Sequence, residues 1–266
     1  MMSAKPSPME RFPSPPNLSP DKAPLGQFGF LLRRLLDLQV SSVLEHLLPW
    51  LSKRCGRLLE VGCGAQPYRG FVPAGVTYQG LDWVGAGENF GYSAPDTVYY
   101  EGQRFPFEDA SFDAVFHTEV IEHVYDLRTF LAECRRVLRP GGELFFTVPF
   151  QARYHYIPND FWRLTPASIK LLLGEAGFKD FKIKNRGADI TVAAYKVLSL
   201  GYRWLQGGLG SKILGVLYFP IMIFSLIVGH LSLRFSLGSQ DDCLGYAANS
   251  IAAESAASQT QETKIP

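Results

Sequence analysis

A short apolar run that stops in two glycines, Arg57-Leu-Leu-Glu-Val61 followed by Gly62-Cys63-Gly64, constrains this chain more than any other stretch. A strand that ends in a tight glycine turn before a helix is the building unit of open α/β sheets. It leaves backbone N–H groups in the crevice at the carboxyl edge of the strands, where such sheets bind ligands. The chain then continues in the same alternation. Val76–Leu81, Asp113–His117 and Glu143–Val148 read as further strands. Between the last two, Leu127, Phe130, Leu131, Cys134 and Leu138 recur at helical spacing, with Asp126 as N-cap and Arg139-Pro140-Gly141-Gly142 as the stop. Thr165-Pro166 opens another helix as N-cap and N1. Upstream, one helix is predicted over 26–50 with Leu31, Leu35, Leu44 and Leu47 on its apolar face. Strand–helix alternation of this kind predicts a mostly parallel sheet with helices on both faces.

Composition narrows the function class. A net charge of +1 gives no basic surplus for nucleic acid, so no such partner is expected. Four cysteines without CxxC or zinc spacing suit a reducing compartment, and no secretory leader is visible, which places the catalytic domain in the cytoplasm. Residues 1–24, with seven prolines, and the polar residues 249–266 read as disordered tails.

The glycine turn does not fit a dinucleotide. G-x-G-x-x-G needs its third glycine at position 67, which is Pro67. Glu60, two residues before Gly62, would repel a pyrophosphate but can organise an ammonium group. Asp82, at the end of the second strand, can accept two hydrogen bonds from a ribose diol.

Leu59-Glu-Val-Gly-Cys-Gly64, Gly80-Leu-Asp82, Phe105–Asp113, Val120-Ile-Glu-His-Val124 and Arg136–Gly142 together, in this order, resemble the class I S-adenosylmethionine-dependent methyltransferases over roughly residues 55–180. The resemblance implies a Rossmann-like α/β sheet, mostly parallel, with an antiparallel last strand. Lys182–Asn185 and Cys243–Ala247 are the candidates for its closing pair. It implies S-adenosylmethionine as cofactor, with the methionine moiety on Glu60, Gly62, Cys63 and Gly64 and the ribose on Asp82. Glu101 stands where the family carries an acid near the adenine, and His117 joins the expected contacts. Two departures are visible: Gln66 replaces a glycine that many members carry, and the adenine acid is Glu rather than Asp.

Glu119, Glu122 and His123 would share a face if their stretch is helical, as part of a divalent-metal site for Mg2+. Their order resembles that in metal-assisted O-methyltransferases of ubiquinone synthesis and of small RNA, where the metal would bind the acceptor hydroxyl. The competing reading is a segment that packs back onto the sheet. Tyr154–Arg163 follows the Val148-Pro149 strand end, so its aromatics can build an acceptor pocket in which His155 removes a proton. Alternatively, His155 supplies another metal ligand, or Asp160 and Arg163 pair to brace that loop while the aromatics pack as core.

Residues 213–228 carry no ionisable side chain, and the apolar run extends to Leu233. As a helix, 213–233 would be about 31 Å long, enough to cross a hydrocarbon core. Because the flanking strands belong to one sheet, the chain must leave and return on one side, which predicts an apolar helical hairpin over 190–238. The methyltransferase domain is then 25–189, with the last strand in 239–248. The hairpin reads as a membrane anchor or, in competition, as a homodimer interface or acceptor lid. The resulting expectation is methyl transfer to an oxygen of a small-molecule, lipid-linked or saccharide acceptor. The alternative is an inactive cofactor-binding protein at the membrane.

Overall fold

A computed structural model describes residues 23–90, 94 and 96–254. The tails expected at 1–24 and 249–266 lie mostly outside the described residues. At their inner ends, Ala23 and Pro24 open a helix and residues 249–252 belong to a strand.

Seven strands form one sheet: β1 (Arg57–Val61), β2 (Thr77–Trp83), β3 (Thr97–Tyr100), β4 (Phe112–Thr118), β5 (Leu138–Pro149), β6 (Phe178–Arg186) and β7 (Gly245–Ala252). Their spatial order is β3-β2-β1-β4-β5-β7-β6. The first five are parallel to one another, and β7 runs antiparallel to both β5 and β6. The implied mostly parallel sheet with an antiparallel last strand is therefore present. Two details differ from expectation. The last strand begins at Gly245 rather than Cys243 and continues to Ala252, and β3 was not anticipated from the sequence.

The helices are α1 (Ala23–Leu36), α2 (Leu38–Leu51), α3 (Ala86–Phe90), α4 (Leu127–Val137), α5 (Pro166–Glu175), α6 (Asp189–Gln206) and α7 (Leu209–Phe235). Side chains alternate along each strand, so the sheet builds one core on each face. Leu58, Phe116 and Phe145 meet Leu47, Trp50 and Leu51 of α2. On the other face, Leu59, Val61 and Val115 join Phe130, Leu131, Ile169 and Leu173 of α4 and α5. The caps form as predicted: Asp126 accepts the Thr129 N–H at 3.1 Å, and Thr165 and Ser168 make a capping box on α5. The single helix predicted over 26–50 is broken. Asp37 interrupts it by accepting the N–H groups of Gln39 at 2.9 Å and Val40 at 3.4 Å, which starts α2 afresh.

α6 and α7 pack as a hairpin through Gly207-Gly208, between the adjacent strands β6 and β7. The buried stripe of α7 includes Gly215, Ser225, Gly229 and Ser232. A Cβ at Gly229 would stand 2.5 Å from Leu38, so only glycine allows α2 this close. Ser232 shares a 2.7 Å hydroxyl hydrogen bond with Thr191 of α6. The outward side carries Leu214, Leu217, Phe224 and Ile227, all exposed. Only 22% of the most apolar stretch of α7 is buried, so it is not a core helix. Small and hydroxylated residues inside with large apolar ones outside invert the pattern of a helix that faces water.

His117 is an unexpected core residue. It stacks on Phe146 at 4.8 Å and meets Phe130 edge-on, fully buried, and neither ring nitrogen has a hydrogen-bond partner among the described residues. Burial pushes its pKa down to about 3, so the folded state holds it neutral. Because the unfolded imidazole protonates near pH 6.5, this residue costs stability increasingly as pH falls below that value. His117→Phe is expected to stabilise the fold by about 1–3 kcal/mol by removing unpaired polar atoms. It should also flatten the loss of stability between pH 6.5 and 4 in urea titrations. An unchanged acid limb would show that His117 is not its source.

Candidate functional site

The glycine turn is tied to β2 rather than left free. The N–H groups of Gly62 and Cys63 both donate to the Leu81 carbonyl, at 2.8 and 3.2 Å. Gly62 has φ +67°, and a Cβ there would lie 2.5 Å from Val120, so the turn tolerates no side chain. No α-helix follows. Between β1 and β2 the described residues hold only a 3-10 turn, Arg69–Phe71.

Asp82 closes the turn from below. Its carboxylate accepts the N–H groups of Gly64 and Trp83, each at 2.8 Å. Burial raises its pKa, and these two N–H groups oppose the rise. Glu60 is buried and accepts the Tyr78 hydroxyl, a partner that the sequence did not reveal. Burial pushes its carboxyl up to about 8, with the Tyr78 hydrogen bond acting against the rise and the charge of Asp82 adding to it. Cys63 shares the turn, but its thiol lies 3.4 Å from the Thr97 hydroxyl and burial pushes its pKa up to about 12. It contributes a place in the turn and no reactive thiolate.

Two cavities meet here, and Gly62, Asp82, Val120 and His123 line both. The first lies against Glu60, Gly64, Tyr68, Glu119, His155 and Tyr156. The second runs along Trp83, Tyr100, Gly102, Gln103 and Phe105. With Asp82 at the junction, the second cavity has the apolar walls for a purine and the first holds the polar groups for an amino-acid tail. Trp83 was not anticipated, although an aromatic directly after the acid expected to hold the ribose is the signal that could have found it.

Two expected contacts are absent from these walls. Glu101 is exposed, and its neighbours Tyr100, Gly102 and Gln103 line the second cavity instead. His117 belongs to the core described above. It alternates away from the cavities because it is one residue before the strand end.

The acidic–histidine stretch is not helical in the expected way. Glu119 follows β4 with φ +52°, and only Ile121–His123 make a 3-10 turn, so Glu119 and Glu122 do not share a helix face. Glu119 is engaged by Arg186 at 3.1 Å and by the Thr147 hydroxyl at 2.8 Å. Glu122 is fully buried, neither oxygen has a hydrogen-bond partner among the described residues, and His123 Nε2 lies 3.7 Å away. Burial, reinforced by the Glu119 charge, holds Glu122 well above the usual carboxylate range, and burial pushes His123 down to about 4.

The groups that could ligate a metal are Glu122, His123 and His155, whose donor atoms lie within 4.8 Å of one another, in place of the expected Glu119 set. One carboxylate with two imidazoles does not fit Mg2+, which prefers oxygen ligands. The loop 153–163 brings both expected interactions together. Arg163 grips Asp160 in a two-point pair at 2.6 and 2.8 Å, and Asp160 lies 3.0 Å from His155 Nδ1. Arg163 and His155 hold the Asp160 carboxyl well below its ordinary range against the opposing effect of burial.

A methyltransferase-domain family model matches residues 59–146. The chain is 39% identical over 128 residues to a fatty-acid O-methyltransferase of Mycolicibacterium smegmatis, covering 44% of each protein. It is 29% identical over 154 residues to a ubiquinone biosynthesis O-methyltransferase of Aromatoleum aromaticum, covering 49% of this chain and 64% of that one. The chain spans about half the length of the curated relatives it matches, 44% and 55% for two of them. A solved structure from Galdieria sulphuraria, a candidate sarcosine dimethylglycine methyltransferase, overlays with TM-score 0.50 at 15% identity, covering 82% of this chain and 86% of that one. That likeness concerns the fold alone. Strand order, glycine turn and Asp82 agree with the match: residues 59–146 carry a methyltransferase domain, on the Rossmann-like sheet of the class I S-adenosylmethionine-dependent type.

Proposed function

We propose that the chain transfers a methyl group from S-adenosylmethionine to an oxygen of a small-molecule, lipid-linked or saccharide acceptor, with His155 as the base. The observation that carries this reading is the His155–Asp160 pair on the wall of the cavity that also holds Glu60 and Gly64. The cofactor supplies an electrophilic methyl on a sulfonium. Glu60 holds its amino group, Asp82 its ribose diol, and Trp83 with Phe105 flanks its base. His155 Nδ1 lies 2.9 Å from the Arg153 carbonyl and 3.0 Å from Asp160, so it carries the proton and Nε2 keeps its lone pair for the acceptor. Proton removal from the acceptor hydroxyl then accompanies formation of the O–CH3 bond and departure of the neutral thioether. Positioning in the cavity supplies the rest.

The hairpin over 190–238 anchors this domain to the cytoplasmic face of a membrane. Large apolar side chains from Phe219 to Leu214 cover roughly 220° of the circumference of α7 at 3.6 residues per turn. Lipid can cover such an arc, whereas a second copy docked against one face would leave much of it in water. Charge supports the same occupant. α1, α7 and α6 beyond Asp189 carry Arg33, Arg34, Lys196, Arg203, Lys212 and Arg234 and no acid, which suits anionic headgroups.

Asp82→Ala should lose two charge-assisted hydrogen bonds, each worth roughly 1.5–3 kcal/mol, and weaken cofactor binding at least about a hundredfold. Quenching of Trp83 fluorescence provides the titration, and equal affinity would remove the ribose assignment. Only ionised Glu60 can pair with the amino group, so affinity should rise by about tenfold per pH unit between pH 6 and 7.5. Glu60→Gln should bind more weakly and lose that slope. His155→Ala is expected to lower turnover by about 10²–10⁴-fold with cofactor affinity intact. Formation of S-adenosylhomocysteine at the wild-type rate would exclude His155 as base. For the anchor, detergent and not high salt should release the full-length protein from membranes. A monodisperse monomer in plain buffer would refute it.

A further inference from the structure

α1 has two faces with different destinations. Arg33 lines the first cavity, beside Asp37 and Gln39 at the junction with α2. At 3.6 residues per turn, Phe28, Leu31 and Leu35 lie within about 40° of the direction opposite Arg33. These three side chains are 65%, 60% and 53% exposed. α1 is therefore a wall one helix thick, about 10 Å, between the cavity and an apolar exterior.

That exterior is continuous with the hairpin. The Leu35 carbonyl meets His230 of α7 at 2.7 Å, and the Leu36 carbonyl accepts the Tyr202 hydroxyl of α6 at 3.2 Å. Tyr195 of α6 also lines the cavity, so α1 and α6 both contribute to its wall. The cavity also opens onto Val40 and Val43 of α2, apolar side chains that neither the cofactor nor His155 uses.

We infer that α1 lies in the bilayer surface beside α7, and that the methyl acceptor is an amphiphile that enters the first cavity from the bilayer between α1 and α6. Its chain would lie along Val40, Val43 and Tyr195, with the acceptor hydroxyl toward His155. Arg33 on the wall of that cavity favours an amphiphile whose polar end carries negative charge. This inference rests on the methyl-transfer and anchoring readings above and adds the route and the substrate class to them.

The test uses full-length protein and phosphatidylcholine–phosphatidylglycerol vesicles containing palmitic acid with a diazirine in its chain. After photolysis, adducts are mapped by mass spectrometry. Adducts are expected on Val40, Val43 or Tyr195 as well as on α7. Adducts confined to α7 would overturn the route while leaving the anchor in place. Leu31→Asp with Leu35→Asp, neither of which lines the cavity, should lower vesicle binding by about tenfold or more and remove the cavity adducts. Cofactor binding, read by Trp83 quenching, should be unchanged in that variant. Vesicle binding and cavity adducts equal to wild type would overturn the role of α1. Failure of the wild type to float with vesicles would overturn the anchor itself, and absence of Trp83 quenching would overturn the cofactor reading independently.

Discussion

The carboxyl edge of the sheet is held together by one ion pair between a buried arginine and a half-buried glutamate. Arg186, at the end of β6 and without solvent exposure, reaches Glu119 at the end of β4 through two nitrogens, at 3.1 and 3.2 Å. The same carboxylate accepts Thr147 from β5, and Arg186 also donates to Gln39 of α2 at 3.3 Å. Three strands and a helix are thereby fixed to a single pair of charges. Removing Glu119 strands the buried Arg186 charge, which typically costs about 3–5 kcal/mol. The pair also sets the direction of the chain. Glu119 in its left-handed conformation turns the backbone so that Val120 covers Gly62 and His123 arrives between the two cavities.

This arrangement explains why the acidic–histidine stretch was only partly legible. Spacing alone suggested a helix with Glu119 and Glu122 on one face. It could not disclose Arg186, which lies 67 residues further along the chain and claims Glu119 for structure. His155 enters the group of donors instead, brought in by a loop whose Asp160–Arg163 pairing was readable because both residues are local.

Other elements divide along the same line. β1 and the caps of α4 and α5 were legible because each depends on residues within a few positions of one another, and the glycine turn and Asp82 because their residue types stand at strand ends. The break at Asp37 was missed because an N-cap signal lay inside an unbroken apolar periodicity. β3 was missed because it is short, partly exposed and at the sheet edge, where burial imposes little pattern. His117 read as a ligand contact from its position near a strand end, whereas strand alternation turns it into the core between Phe130 and Phe146.

The position of the hairpin also orders the assembly of the molecule. β7 lies between β5 and β6 in the sheet, yet in the chain it follows α6 and α7. Until β7 arrives, β5 is an open edge and β6 has no neighbour, so the sheet cannot close before the most apolar segment of the protein has emerged from the ribosome. Arg186 at the end of β6 and Gly245 against it at the start of β7 flank that insertion. Completion of the catalytic edge is thus coupled in time to the fate of the hairpin. A nascent chain whose hairpin has found a stable environment can insert its last strand, and one whose hairpin is still exposed holds an unpaired β5 edge open to other chains.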